Sequence, residues 1–142
     1  MKEKICALMG VCGAAVASWF GGWDTALETL IVFMILDYVS GMMIAGVFKK
    51  SKKSKSGGLE SWAGWKGLCR KGGTLAFVAV ANHIDLLAGT HYIRDTVTIG
   101  FITNELLSLI ENAGVMGIPL PDVVKKAVDI LNQKKDSISK EA

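Results

Sequence analysis

The 142-residue chain has room for one compact unit. Hydrophobic residues make up 51% and charged residues 20%, with a mean hydropathy of +0.39, and most of the 16 Lys and Arg fall in three clusters between long apolar segments. That segregation excludes an ordinary soluble domain, whose polar positions recur at helical or strand period throughout. The net charge of +3 does not signify nucleic acid, because the basic residues flank apolar spans and lack an aromatic binding face.

The first element is the segment Ile5 to Gly22. Its opening, MKEKICALMGVCGAAVASWFGG, imitates a secretory signal: two lysines, an apolar core, then small residues. Further apolar segments follow, so a retained first span is expected. Cys6, Gly10, Gly13 or Ala14, and Ala17 form a small-residue stripe suited to close helix packing, centred on Gly10 and Ala14. The three cysteines, Cys6, Cys12 and Cys69, are odd in number and fit neither a zinc site nor a disulfide framework.

The second span, Ala26 to Phe48, holds a carboxylate, Asp37, near its middle. Gly41 and Ala45 follow it at i+4 and i+8, and Ser40 flanks it. The opposite face carries Val32, Ile35, Val39 and Met42 or Met43. A carboxylate on the small-residue face points at a neighbouring helix. An ionised Asp at the bilayer centre costs at least ~2.5–3.5 kcal/mol, so Asp37 must be paired, hydrated or protonated.

Residues 49–72 form a basic loop. Its first half is rich in Ser, Gly and Lys. Its second half, LESWAGWKGLC, repeats Leu59, Trp62, Trp65 or Lys66, and Cys69 at helical spacing. The pattern predicts a short interfacial helix with Trp62, Trp65 and Lys66 at headgroup level, leading through Arg70 and Lys71 into span three. An ordinary ordered loop is the alternative.

The third span, Gly73 to Gly89, sets Gly72, Ala76, Ala79 and His83 on one face and carries Asn82 and Asp85. Asp85 is a candidate cap for the outer end of this span. His83 reads as a satisfied core group, since no metal-ligand set is legible. The fourth, Thr96 to Gly117, is the most polar: Asn104, Glu105, Ser108, Glu111 and Asn112 share one side, while Ile102, Leu106, Leu109 and Ile110 form much of the rest. Either these groups pair with Asp37, His83 and Asp85 inside one bundle, or protomers assemble and the polar faces line water; assembly is the favoured expectation. After Pro119 and Pro121, DVVKKAVDILNQKK predicts an amphipathic helix and then a frayed tail in residues 118–142.

With four crossings, fifteen of the sixteen Lys and Arg lie on one side and only Arg94 on the other. By the positive-inside rule that side is the cytoplasm, both termini lie within it, and two short turns face out. The expected fold is thus an all-α integral membrane protein with about four transmembrane helices, a single domain without repeats. No nucleophile–base pair, phosphate loop or cofactor motif is legible, so no enzyme activity is expected.

NELLSLIENAGVMGIPLP, Asn104 to Pro121, resembles the NE..S..EN....G.P.P signature of the phage holin and toxin-secretion holin family of Gram-positive bacteria and their phages. LDYVSG, Leu36 to Gly41, is similar to the family's D..TG segment, with Ser40 in place of Thr. SWAGWKGLCRK, Ser61 to Lys71, resembles its Gly-rich basic run, and HID, His83 to Asp85, fits its Asp late in the third span. The resemblance runs from about Thr25 to Leu131. It implies a homo-oligomer in the bacterial cytoplasmic membrane whose lesions release an endolysin or a toxin, without cofactor or catalytic residue. Two other readings remain: a selective ion channel or small-solute transporter subunit, with His83, Asp85 and Glu105 on the path, and a membrane scaffold whose basic loop recruits a soluble partner.

Overall fold

In the computed structural model, which describes residues 1–141, the chain is all-helical. Five helices follow in order: α1 (Lys2–Trp19), α2 (Thr25–Met43, prolonged by a π-helical turn Ile44–Phe48), α3 (Ser61–Ala88), α4 (Ile93–Met116) and α5 (Asp122–Lys140). Asp24 is the N-cap of α2 and accepts from the Leu27 amide at 2.9 Å, satisfying one of the free donors of the first turn. The π turn ends at Lys49 in the left-handed region (φ 49°), where the Lys50 amide reaches back to the Ile44 carbonyl. Gly117 (φ 75°) closes α4: the Ile118 amide donates to Ala113 O at 2.9 Å, and the two prolines beyond prevent continuation.

Helix α4 is the hub, packed against α2, α3 and α5. The pairings Asp24–Arg94 and Asp37–Ser108 make α2 and α4 parallel, and Asp85–Arg94 and Lys71–Glu105 make α3 antiparallel to both. The two short turns, 20–24 and 89–92, therefore lie at one end of the bundle and the basic loop at the other. The apolar core is Leu27, Leu30, Met34, Val78 and Ile102, with Phe33, Leu75, Phe101 and Leu131 packed around it. Val32, Ile35, Val39, Met42 and Met43 are exposed on the outer face of α2.

Helix α1 is different: it buries no residue and touches only α3. Gly10 and Ala14 are exposed, and a Cβ at Gly10 would meet nothing within 4 Å.

Three features depart from the expectations above. The interfacial helix is not separate: Ser61 to Ala88 is one 28-residue helix, running through Gly72 and Gly73 without a break. Tertiary packing of its middle outweighs the ~1 kcal/mol helix penalty of each glycine. The loop shortens to 49–60 and is tied by its own polar groups. Ser51 N donates to Gly57 O (2.9 Å), Ser54 Oγ to Gly58 O (2.8 Å) and Ser56 Oγ to Glu60 Oε1 (2.8 Å). The amphipathic helix expected after the prolines is present but runs on to Lys140 in place of a frayed tail, and α5 doubles back along α4. Its Val128 is buried, its Leu131 joins the core, and its Lys135 Cδ lies 3.7 Å from where a Cβ on Gly100 would be. An apolar stripe on α5 finds an apolar strip on α4, the usual reason an amphipathic helix docks.

By length and hydropathy one helix among the described residues, Thr25–Phe48, can cross a membrane (24 residues, mean hydropathy 2.1). Of the other expected spans, the third carries His83 and Asp85 and the fourth Glu105 and Glu111, whereas the first is free of such groups but lies in a helix that begins with Lys2, Glu3 and Lys4.

Candidate functional site

Midway along the bundle a lysine and two carboxylates meet between three helices. Lys71, on the third turn of α3, points inward: its Nζ donates to Asp37 Oδ2 on α2 (2.7 Å) and to Glu105 Oε2 on α4 (2.6 Å). The other carboxylate oxygen of Asp37 accepts from Ser108 Oγ (2.6 Å) and Asn112 Nδ2 (3.0 Å). Asn112 also donates to Ser40 Oγ (2.8 Å), whose own hydroxyl donates to the Asp37 carbonyl (3.1 Å). Asp37 and Glu105 are only 5% and 7% exposed.

Small residues permit this approach. Tyr38 of α2 lies over Gly64 and Gly67 of α3, where a Cβ would sit 3.4 Å from its hydroxyl and 3.8 Å from its ring. Glycines there let the helix backbones come close enough for Lys71 to span the gap. On the Asp37 face of α2, Gly41 is half-buried and Ala45 buried; on α3, Ala79 is half-buried and Ala76 exposed. A cleft of about 360 Å³ opens beside the network, lined on one side by α3 and on the other by Asn104, Glu105 and Ser108.

A second polar centre closes the end with the short turns. Arg94 is 7% exposed and forks onto Asp24, Nη1 to Oδ2 (2.5 Å) and Nη2 to Oδ1 (3.1 Å), while its Nε donates to Phe20 O (2.7 Å). The Asp24 carboxyl lies below its ordinary value of 3.8, chiefly because Arg94 donates to it. Asp85 accepts from Thr90 Oγ1 and from the amides of Ile93 (3.1 Å) and Arg94 (2.8 Å). It therefore caps the start of α4 across the turn, where the sequence suggested a cap on its own helix. Asn82 donates to Trp19 O (3.1 Å). Gly21 has φ +83°, and a Cβ there would lie 2.5 Å from Asn82 Oδ1, so the turn needs glycine.

The expected polar residues thus divide. Asp37, Ser40, Glu105, Ser108 and Asn112 come together, and Asp85 belongs to the other centre. His83 is exposed, its Nδ1 2.8 Å from the Ala79 carbonyl, and Asn104 and Glu111 are exposed on α4. His83, Asp85 and Glu105 do not share one path. Trp62, Trp65, Lys66 and Arg70 are exposed on the first turns of α3, and Lys66 Nζ stands 5.4 Å over the Trp62 ring. Lys71, expected at the membrane surface with them, is instead the shared cation of the network. Sequence reasoning also passed over Arg94 and Asp24. Two like carboxylates facing one interior signal a missing cation, and a single Arg on the sparsely charged side signals a partner. No cluster of three or more metal-ligating side chains occurs among the described residues.

Charges matched across closely packed helices, inside an otherwise apolar bundle with an exposed apolar face, define a small membrane-type helical protein. The sequence pattern of the bacteriophage holin family matches residues 14–133, and the chain belongs to that family. It is 37% identical over 123 residues to an uncharacterized protein of Listeria innocua, covering 86% of this chain and 82% of that one. It is 39% identical over 118 residues to an uncharacterized 14.9 kDa protein of Clostridium perfringens, covering 82% and 83%. A protein of Bacillus phage phi105 named probable holin is 30% identical over 111 residues, covering 78% and 76%. No solved structure matches. Family membership carries a holin role and a membrane location.

Proposed function

We propose that the chain accumulates in the bacterial cytoplasmic membrane, oligomerises and opens non-specific lesions that release an endolysin or a toxin, without catalysing a reaction. The observation that carries this reading is the Asp37–Lys71–Glu105 network. Within one protomer these groups satisfy one another and the outer face of α2 meets lipid, so a dispersed protomer is tolerated. That answers the cost posed by Asp37 without requiring assembly, and it alters the favoured expectation: assembly exchanges existing internal partners for water. When protomers crowd, separation of α3 from α2 and α4 would turn the charged face toward an aqueous gap. Helix α1, which buries no residue and bears the Gly10–Ala14 stripe, is the surface for contact between protomers.

The four-crossing topology, with both termini cytoplasmic, belongs to this proposal. It agrees with the placement of both short turns at one end and the basic loop at the other. It requires α5 to leave α4. If docked α5 entered the hydrocarbon with α4, Lys125, Lys126 and Asp129 would enter too, at ~2.5–3.5 kcal/mol for each charge near the centre. Docked α5 therefore opposes full insertion of the bundle it packs on, and its release lets the bundle cross.

Inducible expression in bacteria, with and without a cytoplasmic muralytic enzyme, tests both steps. Abrupt lysis only when the enzyme is present is expected; ion leakage that never frees the enzyme would instead mark a selective channel. Leu131→Asp, which weakens α5 docking, should advance lysis. Unchanged timing in a variant whose α5 is demonstrably protease-sensitive would remove α5 from the mechanism.

A further inference from the structure

The cleft beside the charge network has a chemistry that the network itself does not use. Its lining contains four cations, Lys53, Lys66, Arg70 and Lys71, and two carboxylates, Asp37 and Glu105, for a formal charge of +2. Both carboxylates are already engaged by Lys71. The side chains of Lys53, Lys66 and Arg70 have no ion pair among the described residues. Three further cations thus line a cavity of about 360 Å³ whose two acids are both hydrogen-bonded to Lys71. Such a grouping creates a positive potential that favours an anion.

The surroundings indicate where that anion comes from. Trp62, Trp65 and Leu68 are 66%, 58% and 49% exposed on the same turns of α3 that carry Lys66 and Arg70. Exposed indole rings beside cations are the pattern of the headgroup level of a bilayer, where one side of the ring is apolar and the other wet. Lys66 stacked on Trp62 is held by its stem at that level with its ammonium charge intact. A soluble phosphate would use the cations and leave the two tryptophans and the leucine wet.

We propose that this cleft binds the phosphate of an anionic phospholipid headgroup, from the leaflet on the basic-loop side, with Lys53, Lys66 and Arg70 as its ligands and Trp62 and Trp65 against the adjoining glycerol and upper acyl chain. Arg70 supplies a planar fork for two phosphate oxygens, and the lysines act as point charges. The bound headgroup bridges the loop at Lys53 to α3 at Lys66 and Arg70. It thereby fixes the start of α3 against the α2–α4 pair, and the anionic lipid content of the membrane would bias when the helices separate. The site goes beyond the lesion-forming reading, and its test does not depend on lysis.

The test places the full chain in nanodiscs of phosphatidylcholine containing a minor fraction of phosphatidylglycerol with brominated acyl chains. Tryptophan quenching is compared with that from the same fraction of brominated phosphatidylcholine. Greater quenching by phosphatidylglycerol is expected. Lys66→Gln with Arg70→Gln should lower the lipid preference by at least about tenfold, because it removes charge-assisted hydrogen bonds to the phosphate. Lys66→Arg with Arg70→Lys should restore most of it. Lys52→Gln with Lys55→Gln removes the same charge outside the cleft and should leave the preference nearly intact. Equal quenching by the two lipids, or an equal loss in the Lys52/Lys55 variant, overturns the site. Abolition of the preference by inorganic phosphate at constant ionic strength overturns the lipid source in favour of free phosphate. Binding of a polyglutamate peptide by wild type but not by the Lys66/Arg70 variant, with no lipid preference, overturns it in favour of an acidic protein segment.

Discussion

The two polar centres of this bundle use the same residue types to opposite ends. At the end with the short turns, Arg94 is surrounded by a carboxylate fork, a backbone carbonyl and a capped helix start, and the turns 20–24 and 89–92 are sewn together. Its partners come from loops and helix termini. At mid-bundle, one lysine serves two carboxylates that come from the interiors of two different helices, beside an open cleft. The first centre fixes how the hairpins meet. The second holds helices together by a shared charge and the hydroxyl and amide donors around it, at a level where lipid offers no substitute, so its rupture is both costly and consequential. A closed staple and a charge-paired seam in one small protein suggest a fold that pivots: anchored at one end, separable along its middle.

The largest effect should come from breaking the seam. Lys71→Met leaves Asp37 and Glu105 buried without their cation, a change that typically costs ~3–5 kcal/mol. The thermal midpoint in detergent should fall sharply, and in cells lysis should come early or the protein should fail to accumulate. Adding Glu105→Gln to Lys71→Met removes one of the stranded charges and should recover part of the loss. Additive losses in that double-mutant cycle would mean that the two groups are not coupled.

Arg94→Met should cost less, about 1.5–3 kcal/mol, the usual range for hydrogen bonds to a charged group. Asp24 is half exposed and can turn to water, whereas Phe20 O loses its donor. Arg94→Lys should restore little, since an ammonium cannot fork onto Asp24 and reach Phe20 O together. The contrast sharpens in cells: loss of the staple should lower protein level without the advance in timing expected for Lys71→Met. Identical timing for both variants would erase the distinction between the centres.

How much of this was legible beforehand follows from where each interaction resides. The helices and their faces were, because the polar groups of α4 recur at helical spacing and Asp37 shares its side of α2 with Gly41 and Ala45. The role of Lys71 was not. Counting charges for topology assigned it to the basic loop, and only the continuity of α3 through Gly72 and Gly73 brings it inside. Arg94 was counted as an exception to a charge rule, when the exception was itself the signal. Gly64 and Gly67 fall within the expected interfacial helix, where nothing local marks them as the seat that they form for Tyr38. The docking of α5 depends on a complementary strip of α4, and no single segment displays both halves of a contact. Helix periodicity is a local property and survives reading in isolation; partner choice between helices 34 or 71 residues apart does not.

The smallest effect, and the most selective probe of the staple, is its dependence on pH. Asp24 has its folded pKa lowered from 3.8 by Arg94, so it stabilises the fold fully above that ordinary value and loses the contribution as pH falls through the lowered folded value. The group is 47% exposed, and solvent screening holds the expected loss to about 1 kcal/mol or less. Thermal midpoints of the wild type should therefore decline as pH falls below 3.8. Asp24→Asn keeps a capping oxygen for Leu27 but has no titrating charge, so it should start lower at neutral pH and decline less over the same interval. Because other carboxylates titrate there too, the difference between the two curves is the measurement. If the curves run parallel, the Asp24–Arg94 fork contributes nothing as an ion pair, and the short-turn end is held by Asp85, Asn82 and backbone carbonyls alone.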